Sequence, residues 1–177
     1  MKSDQDVLTV SQTLGVEIPT LYQYSNRQNK HYTKQTIRKG NGKERVLHVP
    51  CRTLKYIQRR ILEKYLYTLP VSEFATAYIP KKKLMDNAAP HRGKAQILKL
   101  DISGFFDAID YEMVYAVMQK LSLGVAATAL LANICIRNGV LPQGAPTSPC
   151  LANLVMRYFD EKVGAWCRER EQGEVIF

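Results

Sequence analysis

The chain has 177 residues, with 25 Lys+Arg against 16 Asp+Glu for a net charge of +9, and 46% of it is apolar. That apolar share supports a true core and excludes a disordered tail, and neither a secretory signal nor a run of roughly 18 apolar residues is present, so a soluble, cytoplasmic protein is expected. The positive balance makes nucleic acid the first partner to test, because each neutralised phosphate releases condensed counterions.

In chain order, residues 1–35 are polar with scattered apolar positions (Val7, Leu8, Leu14, Ile18, Leu21), compatible with short helices. Residues 35–50 read as two extended pieces around Gly-Asn-Gly, a β-hairpin with Arg38, Lys39, Lys43 and Arg45 at its tip. From Thr53 to Tyr67, Leu54, Ile57, Ile61, Leu62, Tyr65 and Leu66 recur at helical spacing, with Lys55, Arg59, Arg60 and Lys64 mostly on the other side. Leu69-Pro70 ends that helix. Residues 81–94 are basic and turn-rich. Ile97-Leu-Lys-Leu-Asp-Ile102 then alternates as a strand, with Leu98, Leu100 and Ile102 toward a core and Lys99 and Asp101 facing away. Helices are expected at about 111–122 and 125–137, and a Gly/Pro loop over 139–147. Ser148-Pro149 supplies an N-cap and a first-turn proline for a long helix through Trp166, whose buried stripe is Leu151, Leu154, Val155, Tyr158, Phe159 and Val163. The four cysteines, Cys51, Cys135, Cys150 and Cys167, lie far apart without Cys-x-x-Cys spacing and read as reduced, partly buried residues.

Three segments in this order resemble the reverse transcriptase family: Arg45-Val-Leu-His-Val-Pro50, Leu98-Lys-Leu-Asp-Ile-Ser-Gly-Phe-Phe-Asp-Ala-Ile109 and Leu141-Pro-Gln-Gly-Ala-Pro-Thr-Ser-Pro149. The last is the most specific of the three. Asn87-Ala-Ala-Pro-His91 is similar to the Asn-Ala-x-x-His signature of retron enzymes, which favours that branch over group II intron relatives. The resemblance implies an α+β, right-hand polymerase fold: helical fingers plus the beginning of an antiparallel palm sheet, with the thumb absent. It divides the chain into an N-terminal helical extension (1–35), fingers (36–96), the first catalytic palm strand (97–110), further fingers helices (111–140) and palm again (141–177).

It further implies an RNA-directed DNA polymerase that uses two Mg²⁺ ions about 3.5 to 4 Å apart to join a primer to a nucleotide. Asp101 would bridge both ions and the Ile102 carbonyl would help hold one; outside this motif such an Asp reads as an N-cap or a solvated turn. Phe106 takes the position of a steric gate that rejects a 2′-hydroxyl, with Phe105 assigned to the core. Asp107 and Asp110 read as capping or solvated residues. Arg45 resembles the triphosphate-binding arginine and Lys39 the lysine of the same hairpin, for which a solvated face is an equal reading. Gln143 matches the glutamine that contacts the nucleotide sugar, and Gly144 permits close approach. Arg52, Arg59, Arg60, Lys81, Lys82, Lys83, Asn87 and His91 are candidate RNA contacts or solvated residues, and for His91 a structural hydrogen bond is favoured over catalysis.

The partners implied are an RNA template or noncoding RNA, the DNA product and deoxynucleoside triphosphates, without a membrane; the retron branch also allows an effector protein in an antiviral defense system. Family members carry a Tyr-x-Asp-Asp turn after the long helix, and Gly173-Glu-Val-Ile-Phe177 resembles the strand leading to it. With one of the metal-binding carboxylates, the 177 residues are expected not to polymerise by themselves. The alternatives are a non-catalytic RNA-binding module with a polymerase-like surface, and an RNA-directed RNA polymerase or maturase-like relative, against which Phe106 argues.

Overall fold

Helical spacing of apolar residues governs most of the chain, and most of its regular structure is accordingly helical. The computed structural model describes residues 2–38, 40, 42, 44–94 and 96–169. Helices α1 (Lys2–Leu14) and α2 (Ile18–Asn26) are followed by a 3₁₀ turn and by strands β1 (Tyr32–Arg38) and β2 (Glu44–Pro50). Helix α3 (Arg52–Lys64), a 3₁₀ turn at Leu66–Thr68, and the short helices α4 (Leu84–Ala88) and α5 (Phe105–Ala108) come next. Helices α6 (Tyr111–Gln119), α7 (Val125–Cys135) and α8 (Ser148–Glu169) complete the described chain. The two strands form an antiparallel hairpin in which Tyr32 faces Pro50 and Ile37 faces Arg45. The class is α+β, as expected.

The core gathers around α7, which buries Ala127, Thr128, Leu130, Leu131, Ala132, Ile134 and Cys135 and packs against α1, α2, α3 and α6. A helix apolar around so much of its circumference has to be enclosed. Helix α3 contributes Leu54, Ile57 and Ile61, and the N-terminal helices contribute Val7, Val10, Leu14 and Leu21. Leu8 instead is exposed, on the outer side of α1.

Several expectations fail here. Residues 96–102 form no strand, and Leu98, Leu100 and Ile102 are 83%, 82% and 52% exposed. A strand needs a neighbour for its N–H and C=O groups, and among the described residues the sheet consists of β1 and β2. On α8, Tyr158 and Phe159 are 71% and 48% exposed, whereas Leu151 and Leu154 are buried as expected. This helix turns its small residues inward: Ala152 and Gly164 are buried, and a Cβ on Gly164 would run into the Phe74 ring. Segment 72–77 therefore lies along α8. Asn153 donates to the Ala77 carbonyl at 2.8 Å, and Arg168 pairs with Glu73 at 2.9 Å while stacking over Phe74 at 4.5 Å. Cys135 and Cys150 are buried free thiols, Cys167 is half-buried, and Cys51, expected to be partly covered, is exposed. The strand expected at 173–177 lies outside the described residues.

Ser148 was expected to cap α8, but its hydroxyl donates to the Pro142 carbonyl at 2.6 Å, closing the preceding loop on itself. Of the two roles open to Asp110, capping is the one it takes: its side chain caps α6 by accepting from the Met113 amide at 3.0 Å.

Asp160, on the inner side of α8, is 2% exposed, and its Oδ1 has no hydrogen-bond partner among the described residues. Burial, with a smaller push from Glu161, raises its carboxyl from 3.8 to about 6. A raised folded-state value makes its stabilising contribution complete below 3.8 and lost as pH rises through about 6. Asp160→Asn should therefore flatten the loss of stability between pH 4 and 7, a span worth about 3 kcal/mol, as read from urea midpoints at each pH. Gly164→Ala should cost about 1–3 kcal/mol by overpacking against Phe74, and pairing it with Phe74→Leu should recover part of that loss in the same measurement.

Candidate functional site

The candidate residues sit on three segments that backbone hydrogen bonds join. The first runs from Asp101 to Asp110. Gly104 turns the chain with φ +63°, in the left-handed region that suits glycine, and opens α5. Phe105 and Phe106 follow with ring centroids 5.8 Å apart at 60°, both half-buried and both packed on the core. Assigning one ring to the core and the other to a pocket is therefore not visible in their burial. Asp101 and Ile102 precede this turn and are exposed.

The second segment is the loop from Leu141 to Pro149. The Leu141 amide donates to the Ile109 carbonyl at 2.9 Å and the Tyr111 amide to the Gly139 carbonyl at 2.9 Å. These bonds tether the loop carrying Gln143 to the segment carrying Phe106. Leu141, Pro142 and Ala145 are buried, Gln143 is half-buried and Gly144 is exposed.

The third segment is β2, where Arg45 is exposed near the tip and His48 is half-buried. The His48 amide donates to the Gln143 carbonyl at 2.8 Å. A Cβ on Gly144 would stand 2.9 Å from the His48 carbonyl oxygen. The close approach that Gly144 permits is thus made by β2 of this same chain.

Sequence reasoning passed over His48 and Arg137. Burial first, and then the Arg137 charge, lowers the His48 pKa below the ordinary histidine value, with Asp107 acting in the opposite sense. Arg137 stands at the turn before the loop, and its Nε is buried without a hydrogen-bond partner among the described residues. The signal available in the sequence was a histidine inside one recognised motif and an arginine four residues ahead of another, and only distant pairing in the fold brings them together.

The remaining basic candidates divide. Arg52, Arg59, Lys81, Lys82 and Lys83 are exposed. Arg60 is not free for RNA: it folds back to the C-terminus of α1, donating to the carbonyls of Leu14 at 3.2 Å and Thr13 at 3.1 Å. Asn87 is likewise engaged, donating to the Thr76 hydroxyl at 2.7 Å. His91 is half-buried, and its backbone carbonyl accepts from the Lys94 amide at 3.4 Å. Lys39 lies outside the described residues. Just ahead of the lysines runs a cleft of about 270 Å³ lined by Leu62, Tyr67, Tyr78, Pro146, Pro149 and Cys150, among others.

Carboxylate and carbonyl oxygens are the donors that a hard divalent ion takes. Among the described residues, however, no group of three His, Cys, Asp or Glu side chains comes together to hold one. Asp101 and Ile102 supply the right donor type but too few donors. No helix among the described residues is long and apolar enough to cross a membrane.

Residues 37–172 match the family described as reverse transcriptase (RNA-dependent DNA polymerase), and the chain belongs to that family. Retron enzymes are among the proteins it is similar to. It is 33% identical to the retron Mx65 reverse transcriptase of Myxococcus xanthus, over 90% of this chain and 42% of the relative. It is 33% identical to the retron Ec83 reverse transcriptase of Escherichia coli, over 82% of this chain and 50% of the relative. The retron Ec86 reverse transcriptase of Escherichia coli is 29% identical over 91% and 51%. The chain spans about half the length of these curated relatives.

The split among the basic residues is testable. Arg60→Ala should lower stability by about 1–2 kcal/mol, whereas Arg59→Ala, at an exposed position, should leave stability unchanged. Urea titration of the two variants measures both.

Proposed function

We propose that this chain is the fingers and first part of the palm of an RNA-directed DNA polymerase that copies an RNA template, a retron noncoding RNA, from deoxynucleoside triphosphates. The observation that carries the reading is the hydrogen-bonded union of the three segments: the His48 amide meets the Gln143 carbonyl, and the Leu141 amide meets the Ile109 carbonyl. That union gathers the elements bearing Arg45, Gln143 and Phe106, each on a motif of the family. A triphosphate calls for guanidinium donors on an element able to close over it, and Arg45 is exposed on a hairpin arm. Phe106 is the steric gate in this reading, and Asp101 with the Ile102 carbonyl is the chain's own contribution to a pair of Mg²⁺ ions, which would activate the primer hydroxyl when bound.

Template binding draws on the net charge of +9 and on the exposed Arg52, Arg59 and Lys81–Lys83. The cleft with Tyr67 and Tyr78 suits an unpaired base, because aromatic rings stack on any base face. The N-terminal helices 1–35 form an extension, residues 36–96 and 111–140 the fingers, and residues 97–110 and 141–177 the palm. The protein acts in the cytoplasm beside its RNA, with an effector protein as a further partner. The 177 residues alone do not extend a primer in this reading, since of the family's metal-binding carboxylates they supply Asp101.

The test is dTTP incorporation on an RNA template with Mg²⁺ by the full-length protein, wild type against Asp101→Asn. Incorporation should fall by about a thousandfold or more, the scale of losing a group that acts on the reacting centre, while RNA affinity stays within about twofold. RNA binding by the wild type without any incorporation would replace this reading with that of a non-catalytic RNA-binding module.

A further inference from the structure

We propose that the backbone junction between His48 and Gln143–Gly144 sets the position of the β1–β2 arm over the loop, with Gly144 and His48 as positioning residues for Arg45. The functional half of this inference rests on the nucleotide-binding reading above; the structural half does not.

The arm pairs with no other strand among the described residues, so what holds it in place must come from elsewhere. Its base is fixed: the Cys51 amide donates to the His31 carbonyl at 2.7 Å, and Gln58 of α3 donates to the Tyr32 hydroxyl at 2.8 Å. Beyond the base, the side chains from Thr33 to Arg38 and from Glu44 to Val46 are exposed. The junction is the next anchor along. His48 faces Lys34 across the hairpin, yet its amide points outward to the Gln143 carbonyl at 2.8 Å and its carbonyl faces Gly144. Both of its backbone groups are therefore turned from β1 toward the loop, as alternate residues of an antiparallel strand must be.

The loop is the fixed partner. Its ends are tied by the Leu141–Ile109 bond and by the Ser148 hydroxyl on the Pro142 carbonyl at 2.6 Å, and Leu141, Pro142 and Ala145 are buried. Gly144 is required there twice over. Its φ of +122° suits glycine alone, and any Cβ would press on the His48 carbonyl at 2.9 Å. Arg45 lies three residues further toward the tip, roughly 10 Å along the strand. A tilt at the junction is thus amplified at its guanidinium, while Gln143 stays with the loop.

Amide order parameters of residues 33–38 and 44–49 in the 177-residue chain test this. Wild type should show values near the roughly 0.85 of rigid backbone, and both Gly144→Ala and His48→Pro should fall toward about 0.6, with Leu131 and Leu151 unchanged as reporters of an intact core. His48→Pro removes a donor that the hairpin ladder does not use, so it probes the junction if the Gly144 variant misfolds. Arg45→Ala should leave the order parameters unchanged. Titration of the full-length protein with dTTP and Mg²⁺ reads the functional half: Gly144→Ala and Arg45→Ala should each weaken binding by about tenfold or more. An arm equally ordered in both junction variants overturns the inference. Order parameters that fall while dTTP does not bind even the wild type uphold the junction and overturn the nucleotide reading on which Arg45 depends.

Discussion

Burial of α7 is the constraint on which the rest of the molecule depends. The sequence Val125–Cys135 offers no polar face, so the helix can exist only inside, and α1, α2, α3 and α6 are the walls that put it there. An enclosed helix must still satisfy its last carbonyls. Gln58, fully buried on α3, donates to the Ile134 carbonyl at 2.9 Å and to the Tyr32 hydroxyl, so one amide group ends α7 and anchors the hairpin arm. Burial raises the Tyr32 hydroxyl well above the usual tyrosine range and pushes the Cys135 thiol up to about 12, which leaves both neutral parts of the packing.

From that core the candidate site is reached through backbone pairing. The chain leaves α7 at Ile136, turns through Arg137–Val140, and pairs with Ile109–Tyr111 before entering the loop. Main-chain hydrogen bonds are insensitive to side-chain identity, so the residue types at Leu141, Gln143 and His48 stay available for other work. Glycine is the exception, because at Gly144 the absence of a side chain is itself the requirement. Helix α8 is held differently. There segment 72–77 is clamped along α8 by Phe74 on Gly164, by Asn153 and by the exposed Arg168–Glu73 pair.

Charge is distributed unevenly in its use. Arg60 has the same composition-level meaning as Arg59 one position earlier, yet a single step of about 100° around α3 turns it to the carbonyl end of α1. Asn87, counted with the RNA contacts on the strength of its signature, fastens α4 to Thr76. A basic surface can therefore be smaller than the number of basic residues, because helix ends compete for the same donors.

The sequence by itself determined the helices with a clear 3.6-residue period, the hairpin around Gly40–Gly42 and the family, since each is written in local spacing or in short motifs. It misjudged residues 97–102, whose alternation is a sound strand pattern that no described strand completes, and Tyr158 and Phe159, which are apolar but largely exposed because the second half of α8 buries Asp160 and Gly164 instead. It named Arg45, Phe106, Gln143 and Gly144 without showing how the segments that carry them are joined. Tertiary structure alone decided that, through hydrogen bonds between residues some 95 positions apart in the case of His48 and Gln143. The physical reason is that period and composition report which face of an element is buried, whereas the partner that buries it, and the unpaired N–H that it satisfies, exist only once the chain has closed on itself.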